Sequence, residues 1–496
     1  MRHARPRTTL LGAALALALT LSGLALGQGG TLRIGISGDI DNFDPAFNQL
    51  IMYEAMIRVP VFDALTGLDV DMNVVPGLAT GWTQESDTVW VFDLRQGVAF
   101  HDGSPFTAAD VIATFERTTE QGLIFASKLE PIETITAVDD HTLRLELAFP
   151  VATLLEDLYQ VAITPAGADA DALRRQPIGT GPFRFVSWSP NERIVLERND
   201  DYWAGPAQLD GIVLRVLPDP AAAVSNLLAG EIDAIYDVSV DATQLVEGEA
   251  SVVVQSPDAS GSIFLAELGI NNSEPLQDVR VRRALAHTID QDTINAITYF
   301  GFGQPLCSPL PSFSWAFLDA PCPAYDLDAA RALLEEAGFG SGLTLSVDII
   351  AGFSEMETIA TIWQASLAQV GVTLDVQASE VSIWLDRYIG KEFELILNFF
   401  NSSSDPNSLF DIIYKPLLAT VYTNPEMRAM IDEAVQVSDM DARRALYEQL
   451  QRDTLELAAP VIVMQSRPLL SLTRAEVEGW RVNGKNIPFL RDVSVR

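Results

Sequence analysis

The amino-acid sequence predicts an α/β protein built as two lobes. Its 496 residues exceed what a single hydrophobic core comfortably holds. From Asp326 onward, strand and helix patterns alternate, as they do in a mostly parallel sheet covered by helices. Before that stretch the pattern changes. The apolar run Phe264–Ile270 gives way to Asn271-Asn272-Ser273 and a basic helix, Asp278–His287, which sets a lobe boundary near residue 270.

Taken in order, Thr31–Ile36 reads as a strand that Asp41-Asn42-Phe43-Asp44-Pro45 breaks, and an apolar helix-like segment runs from Tyr53 toward Gly67. Trp90–Leu94 and Leu143–Leu147 alternate apolar and polar residues, as half-buried strands do. Between them, Thr107 and Asp110 form a capping box for a helix reaching about Arg117. Ile178–Trp203 reads as a hairpin with a heavy aromatic load, entered through Gly179-Thr180-Gly181-Pro182 and turning at Ser189-Pro190-Asn191. Leu209–Leu217 and Ile232–Tyr236 are strands flanking a helix that Asp219-Pro220 starts and Gly230 stops. In the last third, Asp326 caps a helix ending at Gly338, and Ser354 with Glu357 boxes another ending at Gly371. Further helices are expected over Val381–Lys391, after Asn424-Pro425, and over Asp441–Leu457. The strands between and after them are Leu343–Ile350, Val372–Val376, Phe393–Phe400 and Pro460–Gln465.

Composition narrows the function. The chain is 48% hydrophobic and 20% charged, as a well-buried globular protein is. With 32 basic and 67 acidic residues the net charge is -35, which argues against nucleic acid or an anionic membrane as partner. Arg2, Arg5 and Arg7 precede an apolar run from Leu10 to about Leu26, the pattern of an export signal at 1–27, cut after Gly27. Removing three arginines leaves 29 basic against 67 acidic residues, or -38. No cysteine lies near the cut, so the expected product is soluble, exported and not lipid-anchored. The cysteines are Cys307 and Cys322, and export permits a disulfide between them, worth roughly 3 kcal/mol by chain entropy.

No catalytic constellation emerges. His3, His101, His141 and His287 are scattered and none sits at metal-ligand spacing, so no metal or cofactor is expected. Gly479–Lys485 resembles a phosphate-binding loop, but Asn486 stands where that loop needs a hydroxyl residue, and no helical pattern follows. The residues favour a binding module, with ligand in a cleft between lobes, over a secreted hydrolase.

Four stretches carry a resemblance. They are Gly179-Thr180-Gly181-Pro182-Phe183 with Trp188, Arg198-Asn199-Asp200 and Tyr202-Trp203; Phe100-His101-Asp102-Gly103-Ser104-Pro105-Phe106-Thr107-Ala108 with Asp110-Val111; Gly230-Glu231-Ile232-Asp233; and Asp278–Leu285. Together they resemble the family 5 extracytoplasmic solute-binding proteins of ATP-binding-cassette importers, the dipeptide, oligopeptide and nickel-binding group. The resemblance implies a two-lobed α/β fold of the periplasmic-binding-protein kind (type II, cluster C-like). Lobe I would be 28–270 with a subdomain inserted at about 60–175, lobe II 271–463, and 464–496 a return to lobe I. The crossings would lie near Phe264–Asn271 and Val461–Gln465. It further implies a monomer that takes up a peptide or small-molecule ligand and delivers it to membrane permease subunits.

The same resemblance selects candidate ligand residues. In peptide-binding members an Asp three residues after a Trp holds the peptide's amine, and here Phe399 and Ser402 fall at those positions, followed by Asp405-Pro406. A hydroxyl cannot neutralise an ammonium, so oligosaccharide or another polar organic solute stands as the alternative cargo, with Trp315 between Phe313 and Phe317 as a stacking platform. Ser402→Asp is expected to raise affinity for free-amine peptides. Asn42 and Tyr53 are the first-lobe candidates, and Asp405 could take the amine under a shifted alignment.

Overall fold

A computed structural model describes residues 29–402 and 405–496; the expected export signal lies outside them. Two sheets dominate. The first has seven strands in the order Val252–Gln255, Leu470–Arg474, Ala234–Val238, Thr31–Ile36, Gly211–Val216, Arg193–Arg198, Phe183–Ser189. At its centre, Thr31–Ile36 pairs in parallel with Gly211–Val216 along its whole length. Leu32, Ile34 and Ile36 point into the core at 0–1% exposure, the period-two alternation of a strand covered on that face. The second sheet has five strands, ordered Val372–Ser379, Leu343–Ile350, Leu395–Asn401, Ser262–Leu268, Val461–Ser466. Leu343–Ile350 is parallel to both neighbours, whereas Ser262–Leu268 is antiparallel to both of its own. Among the described residues, no helix is long and apolar enough to cross a membrane.

Strand Ser262–Leu268 belongs to the second sheet, so the boundary expected near residue 270 falls earlier. The chain crosses between sheets over 256–261 and returns over 467–469, instead of within Phe264–Asn271 and Val461–Gln465. All seven residues of that strand are buried, so its apolar run has no alternation to reveal which sheet it joins. Helix Ser354–Gln369 is present, but Ser354 is its first helical residue and not its cap; Glu357 reaches back to the Gly352 amide at 2.8 Å. The helix caps at Asp219 and Asp326 form as expected, each carboxylate accepting amide protons from the first turn.

Residues 79–147 hold a third, four-stranded antiparallel sheet, ordered Ala79–Ser86, Val89–Leu94, Thr142–Leu147, Ile132–Asp139. Helix Ala108–Glu120 covers it, its capping box closed by the Thr107 amide donating to Asp110 Oδ2 at 2.8 Å. The aromatic hairpin fastens this layer to the seven-stranded sheet. Half-buried Asp63 accepts hydrogen bonds from Thr180 Oγ1 (2.9 Å), Tyr202 OH (3.0 Å) and Trp203 Nε1 (3.0 Å). Burial raises the Asp63 carboxyl above its ordinary range, against the three donors that favour its charged form. His101 donates from Nε2 to the Gly181 carbonyl (3.0 Å) and accepts at Nδ1 from the Gly179 amide (3.4 Å). Burial pushes this imidazole down to about 4, so it is neutral at physiological pH. Gly179 touches backbone: a Cβ there would lie 2.1 Å from the Val61 carbonyl oxygen.

Inside the five-stranded sheet, Glu267 is wholly buried, with Asn398 Nδ2 donating to it at 2.8 Å and Lys391 Nζ 4.0 Å away. Burial outweighs both and pushes its carboxyl up to about 7.

Gly179→Ala is expected to destabilise the protein by roughly 2–3 kcal/mol, because backbone must move to admit the methyl group. An unchanged urea midpoint would refute that packing. For Glu267 the folded value exceeds the unfolded one, so the protein gains stability below about pH 4.5 and loses it as pH rises toward 7. The loss amounts to about 3 kcal/mol. Glu267→Gln should flatten that decline, and thermal melts from pH 5 to pH 8 that fall in parallel for both proteins would contradict it.

Candidate functional site

The two lobes face each other across a cavity of about 480 Å³. Its first-lobe wall includes Glu54, Arg58, Lys128, Glu156, Tyr159 and Lys485; its second-lobe wall includes Phe400, Asn401, Asn407, Ser408, Asp411 and Ile412. Among the described residues, two backbone amides reach across between the lobes beside it. The Asp405 amide donates to Glu156 Oε2 at 2.9 Å, and the Ala152 amide to the Val435 carbonyl at 3.1 Å.

Each wall is shaped by a short π-helical turn, one over Glu54–Arg58 and the other over Phe410–Tyr414. In both, a proline follows two residues after the turn, Pro60 and Pro416. Proline has no amide proton to give the carbonyl four residues back, and in each case the ring widens so that the preceding residue bonds five back: Val59 to Glu54, Lys415 to Phe410. The first turn places Glu54 and Arg58 side by side, 2.6 Å apart, and buried. Tyr159 OH donates to the same Glu54 oxygen at 2.8 Å, and Lys485 Nζ donates to the other at 2.9 Å. Burial alone would raise the Glu54 carboxyl, but Lys485 and Arg58 outweigh it and hold it at about 2. Arg58 also donates to the Tyr159 carbonyl (3.1 Å) and lies 4.3 Å from that ring's centre. Burial would lower its guanidinium, yet Tyr159 and Glu54 raise it above its ordinary value.

A second charged group occupies the far side. Lys128 pairs with Asp157 at 2.9 Å, and Thr153 Oγ1 donates to that carboxylate at 2.6 Å. Burial raises Asp157, with Lys128 opposing. Asp405 is held by Arg443 through two bonds of 2.5 and 2.9 Å, and Arg443 is 1% exposed.

None of the six ligand residues expected from the sequence is among the residues lining this cavity. Asp405 spends its carboxylate on Arg443 and on the Asn407 amide at 2.9 Å, so it caps the following turn instead of awaiting an amine. Ser402 is 0% exposed and its amide donates to Gly261 at the crossing. Phe399 stacks on Phe353 with Arg467 above its ring, and the next residues, Phe400 and Asn401, take the wall positions. Tyr53 is wholly buried, its hydroxyl donating to the Phe43 carbonyl at 2.8 Å. Asn42 closes a turn on the Asp44 amide. Trp315 packs edge-on to Tyr447 and 5.2 Å from the Arg443 guanidinium, which removes it as a sugar platform. Cys307 and Cys322 are bonded, with Cα atoms 5.4 Å apart. The sequence does carry one signal for the turns that shape these walls, a proline late in an apolar helix.

Comparison with known proteins agrees with this geometry. The family described as "Bacterial extracellular solute-binding proteins, family 5 Middle" matches residues 73–417. The glutathione-binding protein GsiB of Pectobacterium atrosepticum is 28% identical over 445 residues, covering 85% of this chain and 86% of that protein. Di/tripeptide-binding protein 2 of Pseudomonas aeruginosa is 27% identical over 528 residues, covering 97% of each. Among solved structures, the periplasmic binding protein DppA of Helicobacter pylori in complex with peptide STSA superposes with a TM-score of 0.75 at 25% identity, covering 94% of this chain and 98% of that one. The chain therefore belongs to the bacterial extracellular solute-binding proteins of family 5, and it is a binding protein and not an enzyme.

Proposed function

We propose that this protein is the substrate-binding component of an ATP-binding-cassette importer, capturing peptides or peptide-like solutes between its lobes and passing them to membrane permease subunits. It acts outside the cytoplasm as a soluble protein, after loss of the export signal. The observation that carries the reading is the interlobe cavity itself. Its walls come from helices, loops and strand ends of two lobes joined by two chain crossings, and they combine apolar, amide and charged groups, which suits a ligand with a polar backbone. Relatives named for glutathione and for di- and tripeptides support the cargo class. On this reading lobe I comprises 29–261 and 467–496 with its inserted layer, and lobe II comprises 262–466.

Native mass spectrometry of purified protein should find a peptide or peptide-like mass, and di- and tripeptides should raise the melting temperature in a mixed library. Stabilisation by oligosaccharides alone would overturn the peptide assignment. The buried position of Ser402 reverses the expectation for Ser402→Asp. A carboxylate there must leave water, so the variant should lose stability by about 2 kcal/mol or more and gain no affinity for free-amine peptides. A higher peptide affinity in calorimetry would restore the original assignment.

A further inference from the structure

The loop that resembles a phosphate-binding loop delivers a charged group to the cleft. Asn483 folds it tightly: its side-chain oxygen accepts from the Lys485 amide (3.0 Å) and the Ile487 amide (3.1 Å), and its carbonyl accepts from the Asn486 amide (2.9 Å). Phe313, from the disulfide-closed loop of the opposite lobe, packs where Gly484 leaves room; a Cβ at 484 would lie 2.2 Å from its ring. Lys485 is thus presented at the cavity wall by a braced turn and not by a loose surface loop.

Its ammonium and the Arg58 guanidinium share one counter-charge. Among the described residues Glu54 is the sole ion-pair partner of each, so two cations face one carboxylate and the group carries an excess of +1. All three side chains are largely shielded from water, with exposures of 16%, 6% and 12% for Lys485, Arg58 and Glu54. An excess charge held there is stabilised by any anion that enters. The opposite wall asks for the complementary group. Asn401 Oδ1 and Asn407 Oδ1 are buried acceptors with no hydrogen-bond partner in the described protein, and both residues line the cavity.

We infer that Lys485 and Arg58, with Glu54 between them, form a carboxylate-binding pole, and that the cargo lies with its carboxylate on the first lobe and N–H donors toward Asn401 and Asn407 on the second. This rests on the peptide reading and narrows it to solutes with a free carboxylate. Lys485 is the specificity-determining residue, because it adds a donor whose strength depends on the ligand being charged.

The test uses calorimetry on the full mature chain with di- and tripeptides as free acids and as C-terminal amides, alongside non-peptide carboxylates and their amides. The wild-type protein should prefer each acid over its amide by about tenfold or more. Lys485→Gln should erase that preference by weakening acid binding far more than amide binding, and Lys485→Arg should retain it. Equal binding of acid and amide by the wild-type protein, or a preference that survives Lys485→Gln, overturns the carboxylate pole and leaves the peptide reading standing. If only non-peptide acids bind, and do so through Lys485, the pole stands and the peptide reading falls. If no member of the panel binds, both fall.

Discussion

Everything in this molecule turns on the place where the chain crosses between its sheets. The crossings at 256–261 and 467–469 lie side by side and are bonded to each other. Ser260 Oγ donates to the Arg467 carbonyl at 2.5 Å, and the Arg467 amide to the Ser262 carbonyl at 2.8 Å. Gly261 joins this knot to both walls of the cleft, its amide donating to the Gly484 carbonyl beside Lys485 and its carbonyl accepting from the Ser402 amide, each at 2.7 Å. Short connections of this kind, a few residues at the ends of strands, are where hinge closure places its φ/ψ changes. The cavity depends on that arrangement: Glu54, Tyr159 and Lys485 on one wall face Asn401 on the other because the crossings hold the two lobes side by side.

Much of the scaffold was legible in the sequence because it is written locally. Helix caps at Asp219 and Asp326, the capping box at Thr107, and the strand alternations all depend on neighbours a few residues apart. The family stretches were legible too, and the structure gives them a physical job. His101, Gly179, Thr180, Tyr202 and Trp203 converge on Asp63 and on the backbone beside it, tying the inserted layer to the main sheet. The site was less legible because its members meet through long-range pairs. Asp405 finds Arg443, 38 residues away, and Glu54 finds Lys485, 431 residues away, and no spacing rule encodes either pair. Of the segment that the sequence singled out, Phe400 and Asn401 line the cavity, whereas Phe399, Ser402 and Asp405 do not. Strand alternation then sends Phe399 and Phe400 to opposite faces, so a reading made without the sheet cannot tell which of them sees the ligand.

The electrostatics divide by range. The chain as a whole carries -35, whereas the group of Glu54, Arg58 and Lys485 sets two cations on one carboxylate. At physiological salt the field of surface acids fades over about 8 Å, so the acidic exterior keeps the protein soluble without dictating what happens inside a shielded cleft. Short-range donors and acceptors in the cavity can therefore favour an anionic group on a strongly acidic protein.

Two of the bonds that bridge the lobes, from Asp405 to Glu156 and from Ala152 to Val435, use backbone amides and no ligand atom. They form only when the lobes approach, so they weight the closed arrangement equally for every cargo. Apparent affinity scales with the fraction of molecules already competent to hold ligand, and these bonds raise that fraction. The two bridges therefore differ in what a substitution would change. Altering Ala152 or Val435, which lie off the cavity wall, would retune how tightly all cargoes are held, whereas Glu156 belongs to both a bridge and the wall, so altering it would change closure and cargo choice together.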